Sequence, residues 1–313
     1  MAASPSRPVL ATSVGALGVA TSGLFVALSA TSPGTASFFR CILALPLLAP
    51  LALAERASGG RISPVQTAWA ATAGALFAAD ALLWTQAIYE VGVGLSAVLV
   101  NAQVVMVPLL AVVIDRETLS RRFLVILPVI VAGTFLTGGV FETGATGSSP
   151  VAGTVHAVLA ALCYSGFLFL LRRGGPDRPL VQSYSIIMAS AAVFAAVVGS
   201  MWGGFDAAPG WGPLGWLALT AVCGQVLGWL LVAVGSPRLR VEVGSALLLL
   251  TPVGALLLGA VALGEVPSAL QILGCALVLG SAYLVTASSR REPGPDGGWR
   301  RQKKTAAHPE RFC

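Results

Sequence analysis

The sequence predicts an all-α integral membrane protein, ten transmembrane helices arranged as two inverted five-helix repeats. Three observations carry that expectation: an apolar and charge-poor composition, a one-sided distribution of Lys and Arg, and ordered matches between the two halves. Of 313 residues, 56% are hydrophobic and only 10% are charged, with a mean hydropathy of +0.84. Soluble domains carry charge on about 25% of their residues. No Asp, Glu, Lys or Arg occurs over residues 8–39 or 143–171, and about 20 apolar residues suffice to cross the hydrocarbon core.

The first apolar stretch begins at about residue 9, behind Arg7. At roughly 21 residues it exceeds the core of a signal peptide, about 7–15 residues, and is expected to remain as the first span. Apolar runs ended by charge, Gly or Pro place spans at about 9–30, 34–54, 66–89, 93–114 and 122–141 in the first half. In the second half they place spans at about 151–171, 180–202, 212–235, 242–263 and 267–287. The expected division is an N-terminal tail 1–8, a first repeat 9–142, a second repeat 150–287 and a C-terminal tail 288–313. The last is basic and broken by Gly and Pro, as expected of an unfolded segment held near anionic lipid by its charge. Pro46, Pro50, Pro128 and Pro252 fall inside spans and predict bent helices among the 36 glycines that favour close helix packing.

Orientation follows from the positive charges. With the N-terminus in the cytoplasm, 18 of the 19 Lys and Arg residues fall in cytoplasmic segments, and the opposite loops hold only Glu90, Glu142, Asp206 and Glu265. A miscounted helix scrambles that segregation. A multi-pass membrane protein with both termini cytoplasmic is therefore expected.

Several classes of function are disfavoured. Net charge is +6, but the basic residues sit in short turns and the tail rather than in one folded patch, so no nucleic-acid partner is expected. Cys41, Cys163, Cys223 and Cys275 lie singly in apolar stretches, with no CxxC pair, so neither a metal nor a cofactor is expected. No HExxH or GxSxG motif points to an enzyme, and no acidic or carbonyl-rich filter repeat points to a channel. The expected partners are the lipid bilayer and a small-molecule substrate; a homo-oligomer is compatible with the chain.

The halves resemble one another in order. DALLW at 80–84 answers QVLGW at 225–229, GLSAVL at 94–99 answers GSALLL at 244–249, and Glu117 answers Glu265. An odd number of helices per copy sets the second copy upside down, the arrangement by which many secondary transporters build a site near the midplane.

The segments SFFRCILALPLL at 37–48, ALFAADALLWTQAIYEVGVGLSAVL at 75–99 and GSALLLLTPVGALLLGAVALGEVPSALQILGCALVLGSAYLV at 244–285 resemble the ten-helix EamA-type members of the drug/metabolite transporter superfamily. The last carries the family's pattern of Pro252, then Gly264 and Glu265, then Gly274 and Gly280. HAVLAALCYSGFLFLLRR at 156–173 is similar to the usual opening of the second repeat. Two departures stand out: the first span lacks the family's aromatic-rich opening, and Gln103 or Val104 stands where Pro252 does in the second repeat. The resemblance implies a cytoplasmic-membrane carrier, often an exporter, of amino acids, other metabolites or drugs.

Only Arg40 and Asp80 lie charged within spans, each at a cost of roughly 2.5–3.5 kcal/mol on insertion scales. At 1.5 Å per residue they sit about 9 Å and about 13 Å below the outer ends of their helices. Similar depth and opposite sign make them either a bracing ion pair or a gate that binds cargo charge. Trp84 lies one turn from Asp80 on the same face, and Gln225 with Trp229 repeats the spacing in the second half. With Asn101 these residues form the expected substrate site, a carboxylate and an amide flanked by indoles. Gln103 and Tyr164 are further polar groups at depth, while His156 is expected to make an interfacial hydrogen bond and Glu117 and Glu265 to cap helices. The site suits a small amphiphilic metabolite, amino acid or drug, and Asp80 offers a titratable group for proton coupling. The alternative cargo is a lipid-like intermediate or a nucleotide-activated sugar, whose diphosphate wants several inward bases where only Arg40 is present.

Overall fold

A computed structural model describes residues 6–116, 121–142, 147–173, 179–202, 204–239 and 241–288. Glu117 and the tail beyond 288 lie outside the described residues. Among those described, all regular structure is helical. The first half holds α1 (Ser6–Ser29), α2 (Pro33–Ile42), α3 (Leu45–Gly59), α4 (Pro64–Val91), α5 (Val93–Val100), α6 (Gln103–Asp115) and α7 (Arg121–Thr137). The second holds α8 (Pro150–Arg173), α9 (Leu180–Met201), α10 (Trp211–Leu219), a π-helical segment over Thr220–Gly228, α11 (Trp229–Gly235), α12 (Val241–Leu248), α13 (Leu250–Leu263) and α14 (Ala269–Ser288).

Eight stretches are long and apolar enough to cross a membrane. The remaining two expected spans, the fifth and tenth, appear as the shorter apolar helices Phe123–Thr137 and Ala269–Val285. Several expected helices are interrupted. The second breaks between α2 and α3, where Pro46 in the first turn of α3 favours a new helix start. The fourth breaks at Asn101, whose side-chain Nδ2 donates to the Ala97 carbonyl at 2.8 Å while the backbone tightens to i→i+3 bonds. The ninth breaks at Leu249, with Pro252 in the first turn of α13, where a missing N–H costs nothing.

Starts and stops follow local chemistry. Ser63 opens α4 with a capping box, accepting from the Gln66 amide at 3.2 Å while Gln66 accepts from the Ser63 amide at 3.3 Å, and Pro64 follows. Gly92, at φ +95°, ends it and turns directly into α5.

Packing crosses between the halves at every level. α1 lies against α10, the π segment and α11; α2 and α3 lie against α9; α4 against α8; α5 against α13; α7 against α14. The first two contacts depend on glycine. A Cβ on Gly34 of α2 would stand 2.6 Å from the Gly199 Cα of α9, and one on Gly18 of α1 would stand 2.7 Å from the Cys223 carbonyl oxygen. Such backbone approach is how helices associate where lipid offers no hydrophobic drive.

Two helix starts are capped in trans. Gly92 has no side chain to cap α5, and the Glu265 carboxylate takes the Val93 and Gly94 amides at 2.6 and 3.0 Å. Pro179 likewise cannot cap α9, and Glu55 takes the Val181 and Gln182 amides at 3.2 and 2.8 Å. Each carboxylate meets the positive end of a helix in the other half.

Candidate functional site

α4 carries Phe77, Asp80 and Trp84 on one face, spaced three and four residues apart, and turns that face toward a cavity of about 390 Å³ between the halves. The volume falls at the lower end of the range for small-molecule sites, about 300–1,000 Å³. Arg40 enters from α2, Asn101 from the break between α5 and α6, Tyr164 from α8, Trp229 from α11, and Thr251 and Pro252 from α13. Of the residues expected at the site, Arg40, Asp80, Trp84, Asn101 and Trp229 line the cavity.

Gln225 is displaced from it. The residue is 1% exposed and sits behind Arg40. With its amide oxygen turned to the guanidinium, the only assignment that avoids facing donors, it accepts from Arg40 Nη2 and from Nε at 3.0 Å and donates to the Tyr184 hydroxyl at 3.3 Å. Tyr184 in turn donates to the Gln225 carbonyl at 2.8 Å. In the π segment each turn is wider, so residues four apart no longer stack as Asp80 and Trp84 do. Trp229 is left facing the cavity and Gln225 the interior.

This changes the expected partner of Arg40. Both charges are buried, at 6% exposure for Arg40 and 8% for Asp80, yet no nitrogen of Arg40 lies within 4.0 Å of the Asp80 carboxylate. The direct ion pair expected from depth is not formed. The guanidinium is held instead by Gln225 and by two rings, 5.8 Å from the Phe77 centroid and 5.3 Å from that of Trp84. Lining the same cavity does not bring the two groups into contact.

Trp229 belongs to an aromatic cluster with Phe167, Tyr184 and Tyr164, at centroid distances of 6.0, 6.2 and 6.3 Å. Phe77, Ser22, Thr251 and Tyr283 line the cavity without having been singled out by the sequence. Phe77 carried a signal, one turn before Asp80 on the same face. His156 lies elsewhere, its Nδ1 2.6 Å from Glu90 Oε2 near the α4–α5 end of the bundle. That end is tied further by Tyr89 donating to the Thr31 carbonyl at 2.7 Å, Ser32 to the Gly204 carbonyl at 2.9 Å and Ser268 to Glu142 at 2.6 Å. The cavity lining reaches the other way, to Val104, Leu248 and Tyr283.

Residues 7–139 and 151–287 both match the EamA-like transporter family. A solved structure, described simply as a crystal structure of a protein, superposes with a TM-score of 0.61 at 20% sequence identity, covering 92% of this chain and 98% of that one. At that identity the likeness is one of fold. No curated protein matches the chain.

Proposed function

We propose that this chain, which belongs to the EamA-like transporter family, is a secondary carrier that moves a small amphiphilic solute across the cell membrane by alternating access between two inverted repeats. The observation that carries the reading is the cavity itself: a polar and aromatic set, Asp80, Trp84, Asn101 and Trp229, gathered between halves whose remaining core is largely aliphatic. The reciprocal pairing of first with eighth, third with sixth and fourth with ninth spans supports rocking of one half against the other about the cavity.

The bonds at the α4–α5 end, set against a lining that reaches Val104 and Tyr283, support a state closed on the outside and open toward the cytoplasm. That assignment takes both termini as cytoplasmic, as the positive charges argue. Outward movement of a metabolite, amino acid or drug is the direction suggested by the family resemblance. A nucleotide-activated sugar is disfavoured because Arg40 is the one base on the lining, and it is already engaged.

The test is a thermal-shift screen of the purified chain against amino acids, polyamines, cationic drugs and nucleotide sugars, followed by flux in proteoliposomes for each hit. A cargo raises the melting temperature by mass action. Asp80→Asn and Trp84→Ala are expected to remove that shift, each read against the melting temperature of the same variant without cargo. Flux of a confirmed cargo that survives both substitutions would place the site elsewhere.

A further inference from the structure

The geometry points to a specific cargo chemistry: an amphiphilic amine whose ammonium group docks on Asp80 while its apolar body lies among Phe77, Trp84 and Trp229. The inference rests on the carrier reading for its biological sense, but it is argued from the donors and acceptors that the cavity leaves free.

Among the described residues Asp80 finds neither a hydrogen-bond donor nor a cation within 4.0 Å. A carboxylate buried to that degree is costly without a partner, and the residue's remaining exposure is on the cavity it lines. Arg40, the natural candidate for that partner, is largely committed elsewhere: Nε and Nη2 go to Gln225 and the guanidinium lies near two rings, while Nη1 is buried without a hydrogen-bond partner among the described residues.

The neighbouring polar groups have the same bias. Asn101 uses its amide nitrogen on the Ala97 carbonyl at 2.8 Å, leaving its oxygen, and Thr251 uses its hydroxyl proton on the Ala16 carbonyl at 3.1 Å, leaving lone pairs. Asp80, Asn101 and Thr251 thus present acceptors from α4, the α5–α6 break and α13, and a cargo that satisfies these three must bring N–H or O–H donors. An ammonium brings three, along with a charge opposite to that of Asp80. The rings of Phe77, Trp84 and Trp229 accommodate its apolar part and attract the cation through their faces. A cargo carboxylate meets the opposite: a like charge on Asp80, and as the base on the lining only Arg40, which already gives two of its nitrogens to Gln225. Zwitterions suffer that penalty at one end.

The test compares three phenylalkyl probes, 4-phenylbutylammonium, 4-phenylbutyrate and the zwitterion phenylalanine, by calorimetric titration into the full chain in detergent. The ammonium probe is expected to bind at least about a hundredfold more tightly than the carboxylate probe, and Asp80→Asn to weaken it by about a hundredfold, the scale of a broken buried charge pair. Asp80→Glu, which keeps the charge, is expected to retain most of the binding. Tighter binding of 4-phenylbutyrate, equal binding of both ions, ammonium binding untouched by Asp80→Asn, or binding of no probe each overturns the inference. If Asp80→Asn does not fold, the contrast between probes on the unaltered chain decides. Proteoliposome flux separates this inference from the carrier reading. Amine binding through Asp80 without flux of any solute leaves the amine site standing and removes the carrier; flux of an anionic cargo with no amine binding does the reverse.

Discussion

The third and eighth spans are the same length, 28 residues each, and occupy corresponding places in the two repeats, but they are built differently. Pro64–Val91 is one unbroken α-helix. Trp211–Arg238 passes from α-helix to π-helix, back to α-helix and into a short 3₁₀ turn. The residues aligned at the widened turns account for much of this. Where the third span has Ala79 and Leu83, the eighth has Gly224 and Gly228. These glycines let α1 come so close that a Cβ at Gly224 would overlap the Ser22 hydroxyl, and one at Gly228 would stand 2.8 Å from a Val19 methyl. A pair of near-equivalent motifs, DALLW and QVLGW, thus yields two functions: one presents both its polar and its aromatic residue to the cavity, the other keeps its indole there and turns its amide inward to hold the guanidinium of the first repeat. The scaffold is close to two-fold and the site is not.

Making the eighth span resemble the third is expected to have the largest effect. Gly224→Ala with Gly228→Leu drives side chains into α1 and the facing turns, an overpacking costing about 1–3 kcal/mol per site and at times more, read as loss of monodisperse folded protein in detergent. Recovery of normal folding in that variant would show that the π segment does not depend on the glycine seam. Next comes the site. A double-mutant cycle on thermal unfolding is expected to give Arg40 and Gln225 a coupling of about 1.5–3 kcal/mol, the scale of a hydrogen bond to a charged group, and Arg40 with Asp80 a smaller one; the reverse order would restore the direct ion pair.

The trans caps come third. Glu265→Ala, which strands two amides of α5, is expected to cost about 2 kcal/mol, near the upper end for capping side chains, and Glu55→Ala about 1 kcal/mol, since its closest bond is longer, 2.8 against 2.6 Å. The smallest effect is a gain. Gly280 in α14 has open space where a Cβ would go, so Gly280→Ala is expected to stabilise by up to about 1 kcal/mol through helix propensity alone, a change in melting temperature of the sign opposite to that of the glycine seam.

The same comparison explains what could be read before the structure. Asp80 and Trp84 were legible because four residues on an α-helix return to one face, and that spacing held. Gln225 and Trp229 have identical spacing, and the inference failed for Gln225 because backbone type, set here by a neighbouring helix lying close against glycines, decides where four residues lead. Arg40 and Asp80 both line the cavity, but no nitrogen of Arg40 comes within 4.0 Å of the Asp80 carboxylate, and counting residues along two helices gives depth without giving that separation. Glu265 was recognised as a capping acid, but its target, 172 residues earlier in the chain, is a tertiary fact with no local trace. Apolar run length located eight spans well; the fifth, expected to reach 141 but helical only to Thr137, shows that hydropathy marks a segment more reliably than its helical extent.

The reach of that cap also sets a clock. Val93 leaves the ribosome 172 residues before Glu265 does, which at about 5–20 residues per second is roughly 9–34 seconds of synthesis. Through that interval the nascent α5 holds amides that lack their carboxylate, and the flanking helices lack the second-repeat surfaces on which they finally rest. The first repeat therefore stays incomplete for most of the time the second takes to make, and a stall in translation late in that interval, before codon 265, leaves the membrane holding a partial bundle with an open seam.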